Sequence, residues 1–176
     1  SSLNAQDKHT RVDLKPYEEV VETLAFTSGF VIKTGRPRVV GNQPKKLMRY
    51  NEQGELIWSI EAKPHRPKLV MEKMLITPDD ALVYDIEISS TGLLGPNETH
   101  IIQIDVKGNK RVLQTGERPG FGKSLLTIFC DDRYLYFLTS QNGNEKHNKK
   151  KTEEKLLLTR FSHFDFSTIT IPVRSE

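Results

Sequence analysis

The chain has 176 residues, 36% hydrophobic and 28% charged, with a formal net charge of +3 and one cysteine, Cys130. Its length predicts one domain or at most two, with room for a substantial core. One cysteine excludes an intrachain disulfide framework and a cysteine-based zinc cluster. No apolar run reaches the ~18 residues of a membrane-spanning helix, and the small net charge predicts no nucleic-acid partner.

The first part of the chain predicts a leader followed by two hairpins. Residues 1–12 are polar and predict a flexible leader, which would also suit a lipid tether. Residues 13–62 form the first predicted repeat, in which residues 13–22 open either a short helix or a strand. The β-branched segment 23–34 predicts a hairpin turning at Ser28-Gly29, and residues 47–62 predict a second hairpin.

The same layout occurs twice more. In the second predicted repeat, residues 63–115, hairpins are expected around Asp79-Asp80 and around Gly108. In the third, residues 116–176, they are expected around Asp131-Asp132 and near His163. Every repeat thus offers four short strands as two hairpins joined by a long connection.

An internal alignment supports this division. Residues 66–84 match residues 118–136 without a gap at an offset of 52, with Arg-Pro, Ile, Asp-Asp and Tyr in common. A weaker third copy begins at Lys15-Pro16, 51 residues before Arg66. Repeats of about 50 residues with four strands each are typical of propeller blades. The predicted fold class is therefore all-β, with three four-stranded antiparallel blade-like repeats forming a partial or half β-propeller. The alternative is an open β-sheet stack or a barrel.

Two segments resemble repeats of known β-propellers. The segment LITPDDALVYDIEIS, with THIIQIDVKGNKRVLQTGERP after it, combines a Thr-Pro-Asp turn, an aromatic-bearing strand, a strand ending in Asp and a glycine turn. It resembles blades of the Tol-associated periplasmic propeller and of prolyl-oligopeptidase-type propellers. NEQGELIW resembles strands of quinoprotein-type propellers. The resemblance implies propeller repeats over most of residues 23–173. Ser28-Gly29 departs from it in the first repeat, and residues 162–165 depart from it in the third.

The expected binding surface is the rim that carries the long connections. Long loops on a rigid scaffold are where repeat proteins usually bind. The candidate residues are Arg36, Arg38, Arg66, Lys68, Arg118, Phe121 and Lys123. Such a basic rim would suit an acidic protein, a glycan or a lipid headgroup. Alternatively, its lysines keep sheet edges soluble. Phe121 is either an exposed anchor or packs beneath its loop.

The sequence predicts no catalytic residue, no metal site and no cofactor. Residues 116–124 resemble a phosphate loop, but Glu117 stands where that signature requires glycine. Asp79-Asp80 and Asp131-Asp132 are expected to cap turns rather than bind calcium. The histidines lack metal-ligand spacing, and no nucleophile motif accompanies His163.

We therefore predict a non-catalytic protein-binding module with a basic loop-rich rim, such as an inhibitor, an immunity protein or an envelope scaffold. Its expected partner is an acidic protein or a second propeller half, and its expected location is extracytoplasmic, with the cytoplasm as the alternative. Two other functions stay open: the propeller portion of a larger peptidase or quinoprotein-like enzyme, and a structural subunit that completes a ring.

Overall fold

A computed structural model describes Val12, Leu14, Pro16 and residues 18–35, 45–62, 69–90, 97–115, 123–141 and 155–173. These residues form twelve strands in three four-stranded sheets, each antiparallel and each ordered along the sequence. The predicted all-β fold with three blade-like sheets is confirmed. Among the described strands no sheet closes into a barrel, and no described residue is helical.

The strands follow one another without a crossover. Sheet 1 contains β1 (Glu19–Phe26), β2 (Gly29–Gly35), β3 (Lys45–Asn51) and β4 (Leu56–Ala62). Sheet 2 contains β5 (Leu69–Ile76), β6 (Leu82–Ser90), β7 (Asn97–Asp105) and β8 (Lys110–Thr115). Sheet 3 contains β9 (Lys123–Cys130), β10 (Tyr134–Gln141), β11 (Lys155–Ser162) and β12 (Thr168–Val173). The first strands meet, β1 against β5 and β5 against β9, so the sheets are arranged around their first strands.

Each sheet has a forward face, toward the next sheet in sequence, and a backward face on the other side. Because successive side chains of a strand alternate between faces, the register assigns each residue to one of them. The forward face of sheet 1 packs on the backward face of sheet 2 through Val31, Leu47, Trp58, Ala62, Met74, Val83, Ile102 and Ile104. The forward face of sheet 2 packs on the backward face of sheet 3 through Tyr84, Ile86, Ile88, Ile101, Ile128, Leu135, Phe137 and Phe161. Sheet 2 is therefore buried on both faces.

The repeat found in the sequence matches these faces. Val83 and Leu135, 52 residues apart, both lie on backward faces, and Tyr84 and Tyr136 both occupy the opposite faces. Between sheets 1 and 2 the equivalent pairs Leu24–Val31 and Leu75–Tyr84 relate the second strands by an offset of 53 rather than 51, and equivalent residues again share a face. The turns that follow the third strands of sheets 1 and 2 are separated by an offset longer than 52, since Asn51 corresponds to Asp105. Insertions within the units therefore change the spacing along each sheet.

The short turns all lie at one end of the sheets, called the turn end, and the connections at 36–44, 63–68, 91–96, 116–122 and 142–154 leave from the other, called the loop end. Gly29 and Gly108 show how tightly the turn end is packed. A Cβ on Gly29 would lie 2.0 Å from the Tyr50 carbonyl oxygen, and one on Gly108 would lie 3.0 Å from the Trp58 Cβ. Both have positive φ, 147° and 85°, which L side chains rarely adopt.

Candidate functional site

The predicted rim residues lie at the loop end, mostly outside the described part of the chain. Arg36, Arg38, Arg66, Lys68, Arg118 and Phe121 fall in connections that the structure does not describe. Lys123 is the first residue of β9, and its backbone lies at the loop end. The described strands thus define the end from which these residues extend, but not how their side chains are arranged.

A buried ionic cluster lies just beneath the loop end, between sheets 1 and 2. Lys33 and Lys45 of sheet 1 face Glu72, Asp85 and Glu87 of sheet 2. Lys33 pairs with both Asp85 and Glu72. Lys45 pairs with Glu72 and, at 2.6 Å, with Glu87. The side chains of Lys33 and Asp85 are completely buried.

Burial and charge pairing shift the pKa values of these groups in opposite directions. Burial raises the pKa of Asp85, although the Lys33 ammonium acts against that rise. Burial also acts to raise the pKa of Glu72, but Lys33 and Lys45 together outweigh it and lower that pKa. Burial acts to lower the pKa of Lys45, and its hydrogen bonds to Glu72 and Glu87 outweigh burial and raise it. Charge pairing therefore favours the ionised forms of Glu72 and Lys45, whereas burial works against the ionised form of Asp85.

The three carboxylates have the spacing of a cation site, because their ligand oxygens lie within 4.8 Å of one another. Two ammonium groups already occupy the position that a metal ion would take. A divalent cation would have to displace both lysines from a buried site at considerable electrostatic cost. The cluster is accordingly an ionic bridge between sheets 1 and 2, close to the loop end.

A second polar cluster lies at the turn end, between sheets 2 and 3. The Tyr84 hydroxyl lies 2.5 Å from His163 Nδ1 and accepts a 2.7 Å hydrogen bond from Gln103 Nε2. His163 Nε2 lies 2.9 Å from the Asp131 carbonyl oxygen. That carbonyl can only accept, so Nε2 carries the proton and Nδ1 accepts from Tyr84. Burial raises the pKa of Tyr84.

This second cluster binds one sheet to the next. Gln103 Nε2 also donates to the His163 carbonyl at 2.8 Å, and Arg111 donates to the Phe164 carbonyl at 2.6 Å. Every polar group of the Tyr84–His163 pair is thus used within the protein. The prediction of a hydrogen-bonded histidine agrees with this geometry.

The two aspartate turns have the predicted capping role. Asp79 Oδ1 accepts from the Thr77 hydroxyl and the Ala81 amide, and Asp131 Oδ1 accepts from the Arg133 and Tyr134 amides. The bond from Thr77 is the main reason that the pKa of Asp79 is lowered. Asp131 also accepts from the Tyr136 hydroxyl, which raises the pKa of Tyr136 to about 12. Turn geometry accounts for both aspartates.

Cys130 is a structural thiol, and its chemistry gives a direct test of the packing between sheets 2 and 3. Its Sγ donates to the Ile76 carbonyl at 3.2 Å, and burial raises its pKa to about 11. At pH 8 the thiolate fraction is then about 100-fold below that of a thiol with pKa 9, and the thiolate is the reactive form. We expect iodoacetamide to alkylate the native chain at least ~50-fold more slowly than the guanidinium-unfolded chain. Equal rates would contradict the packing of this thiol.

Comparison with known proteins adds no relative from which a function could be transferred. No family model matches the chain, and no curated protein or solved structure shows significant similarity to it.

Sequence reasoning did not identify either polar cluster. One available signal was the alternation in β6, where Val83, Asp85 and Glu87 share a face opposite Tyr84 and Ile86. In an antiparallel sheet this pattern ordinarily indicates a solvent-exposed polar face. Sheet 2 differs because it has a neighbour on each side, so its carboxylates are buried against lysines.

None of the described residues forms a helix long and apolar enough to cross a bilayer.

Proposed function

We propose that the chain is a non-catalytic protein-binding module whose loop end contacts a partner with an acidic surface. The observation that supports it best is the separation of connections by length: five long connections leave the loop end, while the turn end has only tight turns. Loops presented together by a rigid sheet scaffold are common binding elements.

The distribution of charge also favours the loop end as the binding surface. The five long connections contain ten lysine or arginine residues against four glutamates, whereas the whole chain carries a formal net charge of only +3. The positive charge of the chain is thus concentrated in those connections, and the remainder is slightly acidic. A surface of one sign favours a partner of the opposite sign and speeds its association.

The ionic cluster explains how the scaffold would support such a surface. Lys33, Lys45, Glu72, Asp85 and Glu87 join sheets 1 and 2 within a few residues of the ends of β2 and β6. A buried ion pair of this kind holds a particular geometry because separating the charges leaves each unpaired in a poor solvent. The connections that leave β2 and β6 therefore start close to a bridge that holds sheets 1 and 2 together.

The test compares two triple charge reversals at opposite ends of the sheets. The loop-end variant carries Arg36→Glu, Arg66→Glu and Arg118→Glu. The matched control carries Lys107→Glu, Lys110→Glu and Arg133→Glu, three exposed positions at or beside the turns. Each immobilised chain is used to capture proteins from the same native extract, and captured partners are quantified by mass spectrometry and then titrated by calorimetry.

We expect the loop-end variant to lose at least tenfold in affinity for a partner that the control still binds. The affinity of the wild-type chain should also fall steeply with salt, because the contact is between opposite charges at a surface. A partner that binds both variants equally, or that is lost only with the control, would contradict the proposal.

A further inference from the structure

The forward face of sheet 3 is an outer face of the described structure. Its cross-strand rows are Phe129–Tyr136–Arg160–Ile169 and Leu138–Leu158–Ile171, with Leu156–Val173 beside them. Ile169 is 50% exposed and Ile171 41% exposed. No described residue of another sheet packs on this face. It is a broad apolar surface with one cation, and apolar patches of this kind mark interaction sites.

Equivalent cross-strand rows in the other two sheets show which contacts a row of this kind makes. The corresponding row of sheet 1 is Leu24–Val31–Arg49–Trp58, and that of sheet 2 is Leu75–Tyr84–Gln103–Arg111. Both rows are covered by the next sheet. The third residue of each row has a side chain that donates hydrogen bonds: Arg49, Gln103 and Arg160. Each of them lies on the third strand of its sheet, two positions before the residue at which the next turn begins.

Two of these donors perform the same task. Arg49 Nη2 donates to the Asp80 carbonyl at 2.9 Å, and Gln103 Nε2 donates to the His163 carbonyl at 2.8 Å. In both cases the acceptor is a turn carbonyl of the next sheet, in the β5–β6 turn for Arg49 and in the β11–β12 turn for Gln103. Arg49 also lies over the Phe26 ring at 4.8 Å, as Arg160 lies over the Tyr134 ring at 4.5 Å. Among the described residues, however, no hydrogen bond links Arg160 to a carbonyl of another sheet, and its Nε, like Arg49 Nε, is buried without a hydrogen-bond partner.

A surface that could meet this face is present in the chain itself. The backward face of sheet 1 carries Ile32, Met48 and Tyr50, which are 8%, 4% and 6% exposed, with Phe30 beside them, and no other described sheet lies behind it. Its β1–β2 turn holds the place that the Asp80 turn holds in sheet 2. We propose that the forward face of sheet 3 binds the backward face of sheet 1 of a second copy. Two copies then close reciprocally into a ring of six sheets, within the range of closed propellers.

One contact sets the strength of this association. Val12 packs against the cluster of Ile32, Met48 and Tyr50, so it covers part of the surface that the second copy needs. Dimer formation must displace that contact. The association is therefore concentration-dependent, and weakening the Val12 contact strengthens it.

The experiment measures the mass of the chain by sedimentation velocity over a series of protein concentrations up to about 1 mM. At that concentration a dimer with a dissociation constant of about 1 mM is still detected. The expected result is a concentration-dependent shift from 20.2 kDa toward twice that mass. Ile171→Glu should abolish the shift, while Val112→Glu, at an exposed position on the outermost strand of sheet 2, should leave it unchanged. A chain that stays monomeric throughout, or a dimer unaffected by Ile171→Glu, overturns the proposal.

Three further variants test the geometry. Arg160→Ala should weaken dimerisation at least tenfold, and Arg160→Gln should retain most of it, because glutamine does the same task at position 103. Val12→Asp should strengthen it several-fold. An equal loss with alanine and glutamine would overturn the role of Arg160 as donor, and no effect of Val12→Asp would overturn the role assigned to sheet 1.

A mixing experiment separates this head-to-tail contact from a symmetric pairing of two third sheets. A chain with Thr23→Arg and Ser59→Arg has its lesion on the backward face of sheet 1, at two exposed positions. That chain and the Ile171→Glu chain should each be monomeric alone and dimeric when mixed, because each retains one intact half of the interface. Dimers formed by the Thr23/Ser59 variant alone overturn the proposed contact.

Discussion

Replacing Lys33 by methionine is expected to lower the free energy of unfolding by about 3–5 kcal/mol, the usual effect of breaking a buried ion pair. Methionine fills a similar volume, so the loss comes from the charges left behind. Asp85 is completely buried beside Lys33, and one of its carboxylate oxygens, Oδ2, already lacks a hydrogen-bond partner in the part of the chain that the structure describes. Urea denaturation followed by circular dichroism measures the loss.

The same variant should become relatively more stable as the pH falls. Burial already raises the pKa of Asp85, and Lys33 is the strongest influence that lowers it. Without Lys33 that pKa rises further above its unfolded value, so the folded chain binds a proton that the unfolded chain does not. In the window between the two pKa values, stability then increases with falling pH. We expect the loss at pH 5.5 to be smaller than the loss at pH 8.

The matched control is Lys33→Met combined with Asp85→Leu, which removes both members of the pair. It should recover at least half of the stability lost by Lys33→Met, since a buried pair replaced by apolar side chains is often neutral. It should also show a weaker pH dependence than the single variant. A loss below about 1 kcal/mol in Lys33→Met would mean that this pair contributes no more than an exposed one.

Replacing Trp58 by alanine is the second change with a large expected effect, a loss of about 3–5 kcal/mol. Trp58 is 6% exposed and lies in the core between sheets 1 and 2. The Gly108 turn of sheet 2 packs directly on it, so that even one added methyl group there would touch the indole. Alanine would leave a cavity where the two sheets join.

Two controls identify the cause. Leu56→Ala, on the same strand but 53% exposed, should change stability by less than about 0.5 kcal/mol. Trp58→Phe should cost less than Trp58→Ala, because it keeps a ring and removes an indole Nε1 that lacks a hydrogen-bond partner among the described residues. Circular dichroism is the appropriate measurement, since Trp58 is the only tryptophan of the chain. Equal losses for Leu56→Ala and Trp58→Ala would contradict the packing described.

The hairpins could be predicted because their signals are local. Asp79 and Asp131 stand in turns for the reason inferred from sequence, since each carboxylate accepts hydrogen bonds from nearby backbone amides. The turn without glycine in sheet 3 is accommodated by Phe166, which adopts a φ of 57° where Gly54 and Gly108 serve in the other sheets. The Arg111 guanidinium lies over the Phe166 ring, 4.7 Å from its centroid.

The candidate site could be predicted only in part. The sequence indicated which connections are long and basic, and the strand order assigns them to one end of the sheets. Lys33, Asp85 and Glu87 had no such signal, because a charged residue on one face of a strand normally indicates solvent. Their burial depends on residues about 50 positions apart meeting across two sheets.

The sequence by itself determined three sheets of four strands, their turns and the internal repeat, because hydrophobic alternation and turn chemistry act over a few residues. Only the tertiary structure decided which face of each sheet is covered. Placing sheet 2 between two neighbours buries its carboxylates against Lys33 and Lys45. Sheet 3 is the last described sheet, so among the described residues Arg160 lacks the carbonyl of a next sheet that Arg49 and Gln103 each contact. Burial is a property of the assembled stack, and no single strand encodes it.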